Sequence, residues 1–554
     1  MQRRPAGEPR TLAGPARAGG PSGAPRAGDA RPVADRRRRL VVLAACSLSL
    51  FIVSMDVTIV NVALPSIQRT FGASLSGLQW VVDAYVLVVA SLLLLSGSMG
   101  DRFGRRRVFQ TGLVIFAAGS LACSLAPSLG ALVAFRMLQA VGGSMLNPNS
   151  LSVMSSVFTD PRERAQAIGI WGGVFGVSAA AGPVVGGILI DSVGWRSIFW
   201  VNIPIAVLAF VLMARYAPES RAERPRRADL PGQGLVIVVL ATLAFGIIEG
   251  PYEGWASPTI LGCFGACLLA LAFFLLVERR QPQPLLELRF FRSPPFSGAA
   301  TIAVTIFYVL SGFLFLNTLY LQEVRGYSAL VAGLATLPAT TVIIVAAPLT
   351  GRFVGRRGSR LPLSLAGLAM TAGCVVLAQD RPHSAYLGLA AGYVLIGLAL
   401  GMANPPITNT AVAGMPAAQT GVAAAVASSS RQVGNVLGVA LTGAIVTSAL
   451  HRALARKVPS LPVPEGVRHA LLHVTVGATG LQLPRRTPDL SHITRLVNAA
   501  FTGAGHDGWY VAAAAGVITF VVGLTTTGPA GRCRAEAVLA EPARSEPAPA
   551  PGRP

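Results

Sequence analysis

The sequence contains few charged residues for its length. Of its 554 residues 13% are charged, 52% are hydrophobic, and the mean hydropathy is +0.58. A soluble domain carries about 25% charged residues. Because a chain this apolar is not soluble in water, the composition excludes an ordinary soluble enzyme and a disordered regulator.

The sequence also lacks the residues of an ATP-driven or metal-dependent protein. Its single lysine is Lys457, and it has no GxxxxGK[ST] loop, so the chain itself does not bind and hydrolyse ATP. Six scattered cysteines indicate neither a disulfide framework nor a zinc site. No nucleophile lies beside a base in a catalytic pattern. We therefore expect a protein without cofactor or resident metal that is not an enzyme.

Long apolar runs are what the sequence has in abundance. About fourteen are long enough to cross a bilayer as helices, the first near 41–64 and the last near 508–527. They are too long and too uniformly apolar for barrel strands, so α-helices are the spanning element. The fold class predicted is an all-α integral membrane protein that uses the lipid bilayer as its solvent.

The net charge of +22 is distributed by membrane side. Alternate connections between the runs carry clusters of arginine, while the short connections opposite carry at most one each, namely Arg69, Arg196, Arg325 and Arg381. The positive-inside rule places the clusters, and with them both termini, in the cytoplasm. The charge therefore indicates orientation in a cytoplasmic membrane, and it gives no reason to expect a nucleic-acid partner or an obligate protein partner.

One long connection departs from this distribution. Residues 451–507 are predicted to lie outside although they carry seven basic residues, which long loops tolerate because they are translocated largely regardless of charge. This loop places His469 and His473 at helical i,i+4 spacing. The two histidines are either a metal site or solvated side chains on an amphipathic loop helix.

An internal repeat divides the chain into two halves. Short turns of glycine and arginine end both the second run, at 97–106, and the tenth, at 351–357. Repeated halves with a substrate site between them are typical of secondary transporters. The arrangement predicted is six helices, two extra helices and six helices: a disordered basic tail at 1–39, a six-helix bundle at 40–216, two linker helices at 217–297, a six-helix bundle at 298–527 that includes loop 451–507, and a disordered tail at 528–554.

Charges inside the apolar runs are the candidate functional residues, because each is costly unless it is paired or faces water. Asp56 lies within the first run, where burial disfavours the charged form and makes the carboxylate a natural proton acceptor. Arg136 lies in the fourth run and would set the proton affinity of a neighbouring acid or hold a substrate anion. The alternatives are a structural carboxylate and a snorkelling anchor. Asp83 and Arg431 are further candidates near span ends.

The fifth run contains small residues at helical spacing. Gly176, Gly182, Gly186 and Gly187 make a smooth face for close approach of another helix, and Pro183 bends the helix. Generic helix packing is the alternative interpretation, although Gly-Pro-x-x-Gly-Gly with further small residues is more specific than a single GxxxG pair.

Together these motifs resemble the major facilitator superfamily, and within it the fourteen-span drug:proton antiporters, over roughly residues 40–530. The turn after the second run resembles the family's loop motif, which implies a charge network that holds one conformation, a conformational latch, at Asp101, Arg105 and Arg106. Residues 182–187 resemble the antiporter motif of the fifth span, which is associated with export.

The proton-coupling residues are also implied by the resemblance. The segment Arg136-x2-Gln139-x2-Gly142 is similar to the fourth-span motif whose arginine is linked to proton coupling, with Ala140 where the family usually has glycine. The segment from Asp56 to Pro65 is similar to a first-span signature of the fourteen-span branch. Residues 320–327 and 431–434 also resemble that branch, and within it residues 79–85 most resemble exporters that protect antibiotic producers.

The expected function is proton-coupled export of amphipathic organic molecules by alternating access. The partners are then a small organic substrate and protons, and a proton gradient supplies the energy. Two alternatives remain at the level of sequence. One is a dedicated exporter of an endogenous metabolite, lipid precursor or siderophore, and the other is a transport-inactive membrane sensor or scaffold.

Overall fold

The computed structural model describes residues 31–222, 229–281, 288–382, 384–413, 420–460 and 490–526, together with positions 465, 468 and 471. Within these ranges the secondary structure is helical and contains no strand. The helices are α1 (Arg31–Phe71), α2 (Leu75–Phe103), α3 (Arg105–Ser124), α4 (Leu129–Val157), α5 (Pro161–Ser192), α6 (Ser197–Trp200), α7 (Asn202–Tyr216), α8 (Leu230–Glu253), α9 (Pro258–Arg280), α10 (Pro294–Leu319), α11 (Ala329–Ala335), α12 (Leu337–Arg357), α13 (Arg360–Leu377), α14 (Tyr386–Val412), α15 (Thr420–Lys457) and α16 (Leu490–Thr526).

Fourteen spans in the described part of the chain are long and apolar enough to cross a membrane. Three of them join two elements: α6 with α7, α10 with the π-helical turn Tyr320–Val324, and α11 with α12. The count and the absence of strands in the described ranges confirm the predicted all-α membrane fold.

Local sequence signals explain where the helices begin and end. The hydroxyls of Ser74 and Ser128 accept a backbone hydrogen bond at the start of α2 and α4, and Asp160 accepts two at the start of α5. Gly104 has a φ of 112° between α2 and α3, a conformation that other residues rarely adopt. Such caps allow connections of only a few residues.

The two predicted halves have the same packing pattern. In the first, α1 packs on α5 and α7, and α4 packs on α2 and α3. In the second, α10 packs on α15 and α16, and α14 packs on α12 and α13. Between the halves α2 meets α15, and α5 meets α11 and α12. Because each pair in one half has its counterpart in the other, the structure has the internal repeat that the glycine–arginine turns predicted, with α8 and α9 as the inserted pair.

The two ends of the helix bundle differ in charge, and we name them by it. The arginine-rich end holds the connections at 103–105, 157–161, 280–294 and 357–360, and the arginine-poor end holds those at 71–75, 124–129, 192–197 and 324–329.

The two halves are joined at the arginine-poor end. Among the described residues, the hydrogen bonds between halves lie there: Gln79 donates to the carbonyls of Val439 and Ala440, Gln322 to that of Val62, and the Leu330 amide to Asp191. Towards the arginine-rich end, a Cβ at Gly169, Gly172 or Gly173 of α5 would meet nothing within 4 Å. The cleft between the halves is thus closed at the arginine-poor end and opens towards the other.

The helices extend beyond the predicted boundaries. α1 begins at Arg31, inside the predicted tail, and α15 and α16 extend into the predicted loop 451–507. A helix continues past its apolar part where charged and small residues still favour it, as in the Ala- and Arg-containing end of α15 at 449–457. Residues 1–30 and 527–554 and most of 461–489, with His469 and His473, lie outside the described residues.

Candidate functional site

Asp56 and Arg136 form a salt bridge inside the first half. Asp56 lies in the middle of α1 and Arg136 near the start of α4, and the two side chains have exposed fractions of 0% and 1%. The Nη1 group of Arg136 donates to Oδ2 of Asp56. The structure therefore brings together two residues that the sequence identified separately as candidates for proton coupling.

Two amides and a hydroxyl complete the surroundings of this carboxylate. Oδ1 of Asp56 accepts hydrogen bonds from Gln139 of α4 at 2.8 Å and from Asn202 of α7 at 2.9 Å. Both amides also donate to the hydroxyl of Ser120 of α3, at 3.3 and 3.1 Å, and this hydroxyl donates to the carbonyl of Phe199. All four donors or acceptors are buried. The carboxylate thus joins α1 to α4 and α7, and the two amides connect it to α3 through Ser120.

Arg136 is held in place by more than its charge. Its Nε donates to the carbonyl of Val81 at 3.2 Å, its Nη1 to Gln139 at 2.8 Å, and its guanidinium carbon lies 4.2 Å from the ring centroid of Tyr85. Hydrogen bonds and a facing aromatic ring favour the ionised guanidinium. The ion pair of Asp56 and Arg136 thus joins α1 to α4.

Asp83 is a second buried carboxylate, without the partners that Asp56 has. It is fully buried in α2, and both of its carboxylate oxygens lack a hydrogen-bond partner among the described residues. It lies one helical turn after Gln79, which bonds to α15. An unpaired charge is costly in such surroundings, which therefore favour the neutral acid.

Arg431 lies on α15, in the other half. It is mostly covered, and Nη2 donates to the hydroxyl of Thr408 of α14 at 2.5 Å. Its guanidinium carbon is 5.9 Å from the ring centroid of Phe307 of α10. The four predicted intramembrane charges therefore form one pair and two separate sites.

The predicted latch residues contact one another and the end of α7. Arg105 donates to Oδ1 of Asp101 at 2.9 and 3.1 Å. Arg106 donates to the carbonyls of Ala214 and Ala217 at 2.7 and 3.1 Å. These contacts stay within the first half and the segment that follows it, and among the described residues the three side chains form no bond to the second half.

The glycines of the predicted antiporter motif lie against two different helices. A Cβ on Gly182 or Gly186 would collide with Thr58 or Ile59 of α1. A Cβ on Gly187 would lie 2.5 Å from Cα of Leu330 in α11, and the Pro183 carbonyl lies against Gly333. Gly176 is less crowded, with Ile344 at 3.6 Å. The motif therefore lets α5 approach its own half and the other half at once.

A small cleft lies between the halves next to this motif. Its lining includes Asn61 of α1, Pro183, Asn317 of α10 and Thr336. Oδ1 of Asn61 is buried and lacks a hydrogen-bond partner among the described residues. The cleft is lined by apolar surface with a few polar groups at the contact between the halves.

Sequence reasoning missed Asn202, Ser120 and Tyr85 as neighbours of the ion pair. Tyr85 belongs to the segment 79–85, which was considered only for its resemblance to a family of exporters. Gln139 was considered only as part of the fourth-span motif. Asn202 had one available signal, since it is an amide at the beginning of an apolar run. Nothing in the spacing connected it with Asp56.

Comparison with known proteins agrees with this architecture. The chain is 38% identical to the multidrug resistance protein Stp of Mycobacterium tuberculosis over 445 residues, which are 79% of this chain and 82% of the relative. It is 34% identical to the tetracenomycin C resistance and export protein of Streptomyces glaucescens, over 89% of this chain and 92% of the relative.

The solved structures include one of a similar fold. A bacterial homolog of the human lysosomal transporter Spinster, in an inward-facing and unoccupied conformation, superposes with a TM-score of 0.65 at 17% identity, covering 93% of this chain and all of the other. A family model described as Major Facilitator Superfamily matches residues 46–439. The resemblance seen in the motifs is thereby confirmed, and the chain belongs to the Major Facilitator Superfamily.

Proposed function

We propose that this protein is a proton-coupled exporter of drugs, antibiotics or similar amphipathic organic molecules, and that Asp56 is its coupling carboxylate. The observation that carries the proposal is the buried pair of Asp56 and Arg136 with its amide donors. A contribution to stability does not explain a buried charge pair, because well-packed apolar residues in its place often stabilise a fold equally well. The free-energy cost of burying Asp56 and Arg136 is better explained if protonation of Asp56 is part of the transport cycle.

The orientation proposed follows from the arginines. The arginine-rich end faces the cytoplasm, as the positive-inside rule requires for short connections, and both termini then lie on the same side. The open end of the cleft therefore faces the cytoplasm in this conformation. A substrate enters the cleft from there or from the inner part of the bilayer.

The cycle requires two conformations with opposite preferences. In the cytoplasm-facing one described above, Asp56 is ionised and bound to Arg136, and the substrate binds. In the conformation that opens to the outside, Asp56 takes up a proton, the attraction between α1 and α4 is lost, and the substrate leaves. Return to the cytoplasm-facing conformation releases the proton inside. Export is then driven by the proton gradient, with no cofactor.

Asp83 is proposed as a second proton site. Its burial without partners supports a neutral acid in this conformation, and its place on α2 one turn from the contact with α15 puts it at the contact between the halves. Opening of that contact would expose it to water and permit ionisation.

The test uses inverted membrane vesicles with a preformed pH gradient. Addition of a transported compound should dissipate the gradient with the natural protein and should fail to do so with Asp56→Asn, which keeps the shape of the side chain and cannot be ionised. Asp160→Asn is the matched control, because it makes the same change at an exposed position where asparagine also caps a helix. A gradient response in Asp56→Asn equal to that of the control would remove Asp56 from the coupling role.

A dedicated exporter of one endogenous metabolite is the second candidate function. The relative from Streptomyces glaucescens is named for both resistance to and export of one compound, and it is matched over most of its length. Growth tests against a broad compound panel separate the two candidates. Protection against several unrelated compounds supports the multidrug exporter, and protection against none or one supports the dedicated exporter.

A further inference from the structure

The two arginines inside the spans differ in how they are satisfied. Arg136 has a carboxylate, an amide oxygen, a backbone carbonyl and an aromatic ring around it. Arg431 has only neutral hydroxyls: Thr408 accepts from Nη2 at 2.5 Å, and Ser428 accepts from Nη1 at 3.5 Å, the limit of a hydrogen bond. Its Nε is buried and lacks a partner in the described part of the chain.

No carboxylate among the described residues pairs with Arg431. The ion pairs found there use other arginines. The buried carboxylate Asp56 is bound to Arg136. A guanidinium remains charged in proteins and offers five N–H donors in a planar fork that matches an oxyanion. Removing such a group from water without an anion costs free energy that a bound anion would recover.

Arg431 lies among three helices of the second half. It projects from α15 between α10, which supplies Phe307, and α14, which supplies Thr408. Both α10 and α15 also contact the first half, through α1 and α2. One turn later Gly434 packs closely on α10, where a Cβ would lie 2.5 Å from the carbonyl oxygen of Val304.

We infer that Arg431 is an anion-recognition subsite of the transport cleft, and that the substrates include amphipathic organic anions bearing a carboxylate or similar oxyanion. The inference rests on the proposed function. The oxyanion accepts hydrogen bonds from the free Nε–H and from the Nη groups, and the apolar part of the molecule lies along Phe307. Thr408 holds the guanidinium fork in place when the ligand is absent.

A membrane lipid phosphate presents the same oxyanion chemistry. The position of Arg431 favours a transported substrate over a lipid as the source of the oxyanion. The side chain lies between three helices of one half, two of which touch the other half, and not on a face turned only towards lipid. The experiment therefore includes an arm for each source.

The test is a binding measurement on the purified full chain in neutral detergent, without a membrane gradient. Pyrenebutyrate supplies a carboxylate on an aromatic body, and its methyl ester supplies the same body without charge. We expect Arg431→Gln to weaken binding of pyrenebutyrate by about tenfold or more, the factor of one charge-assisted hydrogen bond, and to leave binding of the ester within about twofold. Arg431→Lys should restore part of the loss. Arg452→Gln, on the exposed end of the same helix, should change neither affinity.

Three results would overturn the inference. Equal loss of both ligands in Arg431→Gln would show a structural role, and unchanged binding of both would show that Arg431 does not contact the ligand. If dioleoyl phosphatidylglycerol added to the detergent competes with pyrenebutyrate only when Arg431 is present, and pyrenebutyrate itself is not exported from vesicles, the site belongs to lipid. Because the binding assay contains no pH gradient, a negative result there contradicts only the role of Arg431. It does not bear on proton exchange through Asp56. A failure of proton exchange likewise leaves the binding preference intact.

Discussion

The side-chain amide of Asn202 donates a hydrogen bond at 2.9 Å to Oδ1 of Asp56, a residue 146 positions earlier in the chain. The same amide bonds to Ser120 at 3.1 Å. Asn202 therefore stabilises the ionised carboxylate from the side opposite Arg136, and it does so at the first residue of α7.

Substitution Asn202→Ala should shift the pH dependence of transport. Loss of a hydrogen bond to the charged form makes protonation of Asp56 easier, so the midpoint of substrate-induced proton exchange should move to higher pH. A hydrogen bond to a charged group contributes about 1.5–3 kcal/mol, and 1.36 kcal/mol corresponds to one pH unit, which gives a shift of about one to two units. Proton flux measured over a pH series checks this. A profile that coincides with that of the natural protein would contradict the proposed role of Asn202.

Substitution Arg136→Lys should reduce transport although the charge is kept. An ammonium group cannot donate to Asp56, Gln139 and the Val81 carbonyl with the geometry of the guanidinium, and it stacks less well on Tyr85. We expect the initial transport rate to fall by about tenfold, the equivalent of one lost charge-assisted hydrogen bond. Full activity of Arg136→Lys in vesicles would mean that only the charge matters at this position.

Substitution Gly187→Ala should disfavour the conformation closed at the arginine-poor end. Its added methyl group would lie 2.5 Å from Cα of Leu330 and 2.8 Å from the carbonyl oxygen of Ala329, both of which are backbone atoms that cannot rotate away. Spin labels on cysteines introduced at Val193 and Val331, in a chain without its native cysteines, report the separation of α5 and α11. The mean distance should lengthen in Gly187→Ala.

Gly172→Ala is the control for that experiment. It makes the same change on the same helix, where a Cβ would meet nothing within 4 Å. Equal distance distributions in all three proteins would show that the α5–α11 contact does not determine which end is closed.

Substitution Gly104→Ala should lower the stability of the first half. Gly104 has a φ of 112°, and a Cβ there would lie 2.6 Å from Oε1 of Glu219. Backbone strain of this kind costs about 1–3 kcal/mol, which thermal unfolding in detergent detects as a lower midpoint. Gly130→Ala, in an open position on α4, should be neutral or slightly stabilising because alanine favours helix. Indistinguishable midpoints for the two variants would contradict the strain argument.

Much of the fold could be predicted from the sequence because the bilayer restricts the choices. Runs of about twenty apolar residues permit only helices, and the arginines between them alternate. The same physics made Asp56 and Arg136 recognisable, since charge is scarce in the spans. The helix ends were predicted less well, because the amphipathic ends of α1, α15 and α16 extend the helices past the apolar runs.

The partners of the charged residues could not be predicted. Asn202 and Ser120 are uncharged, and uncharged polar residues occur throughout the spans without a pattern that identifies their contacts. Only the packing of α1 against α7 brings Asn202 to Asp56, and only the α5–α11 contact gives Gly187 its crowding. The contrast between Arg136 and Arg431 is likewise a property of tertiary contacts, because both are single arginines within apolar sequence.

Counting the protons released when substrate binds tests the central claim most directly. The purified protein is mixed with a transported compound in weakly buffered detergent, and the pH change is measured. If substrate favours the ionised Asp56–Arg136 pair, the natural protein releases protons on binding, and Asp56→Asn binds the compound with a clearly smaller release. Proton release from Asp56→Asn equal to that of the natural protein, at equal occupancy, would contradict the account.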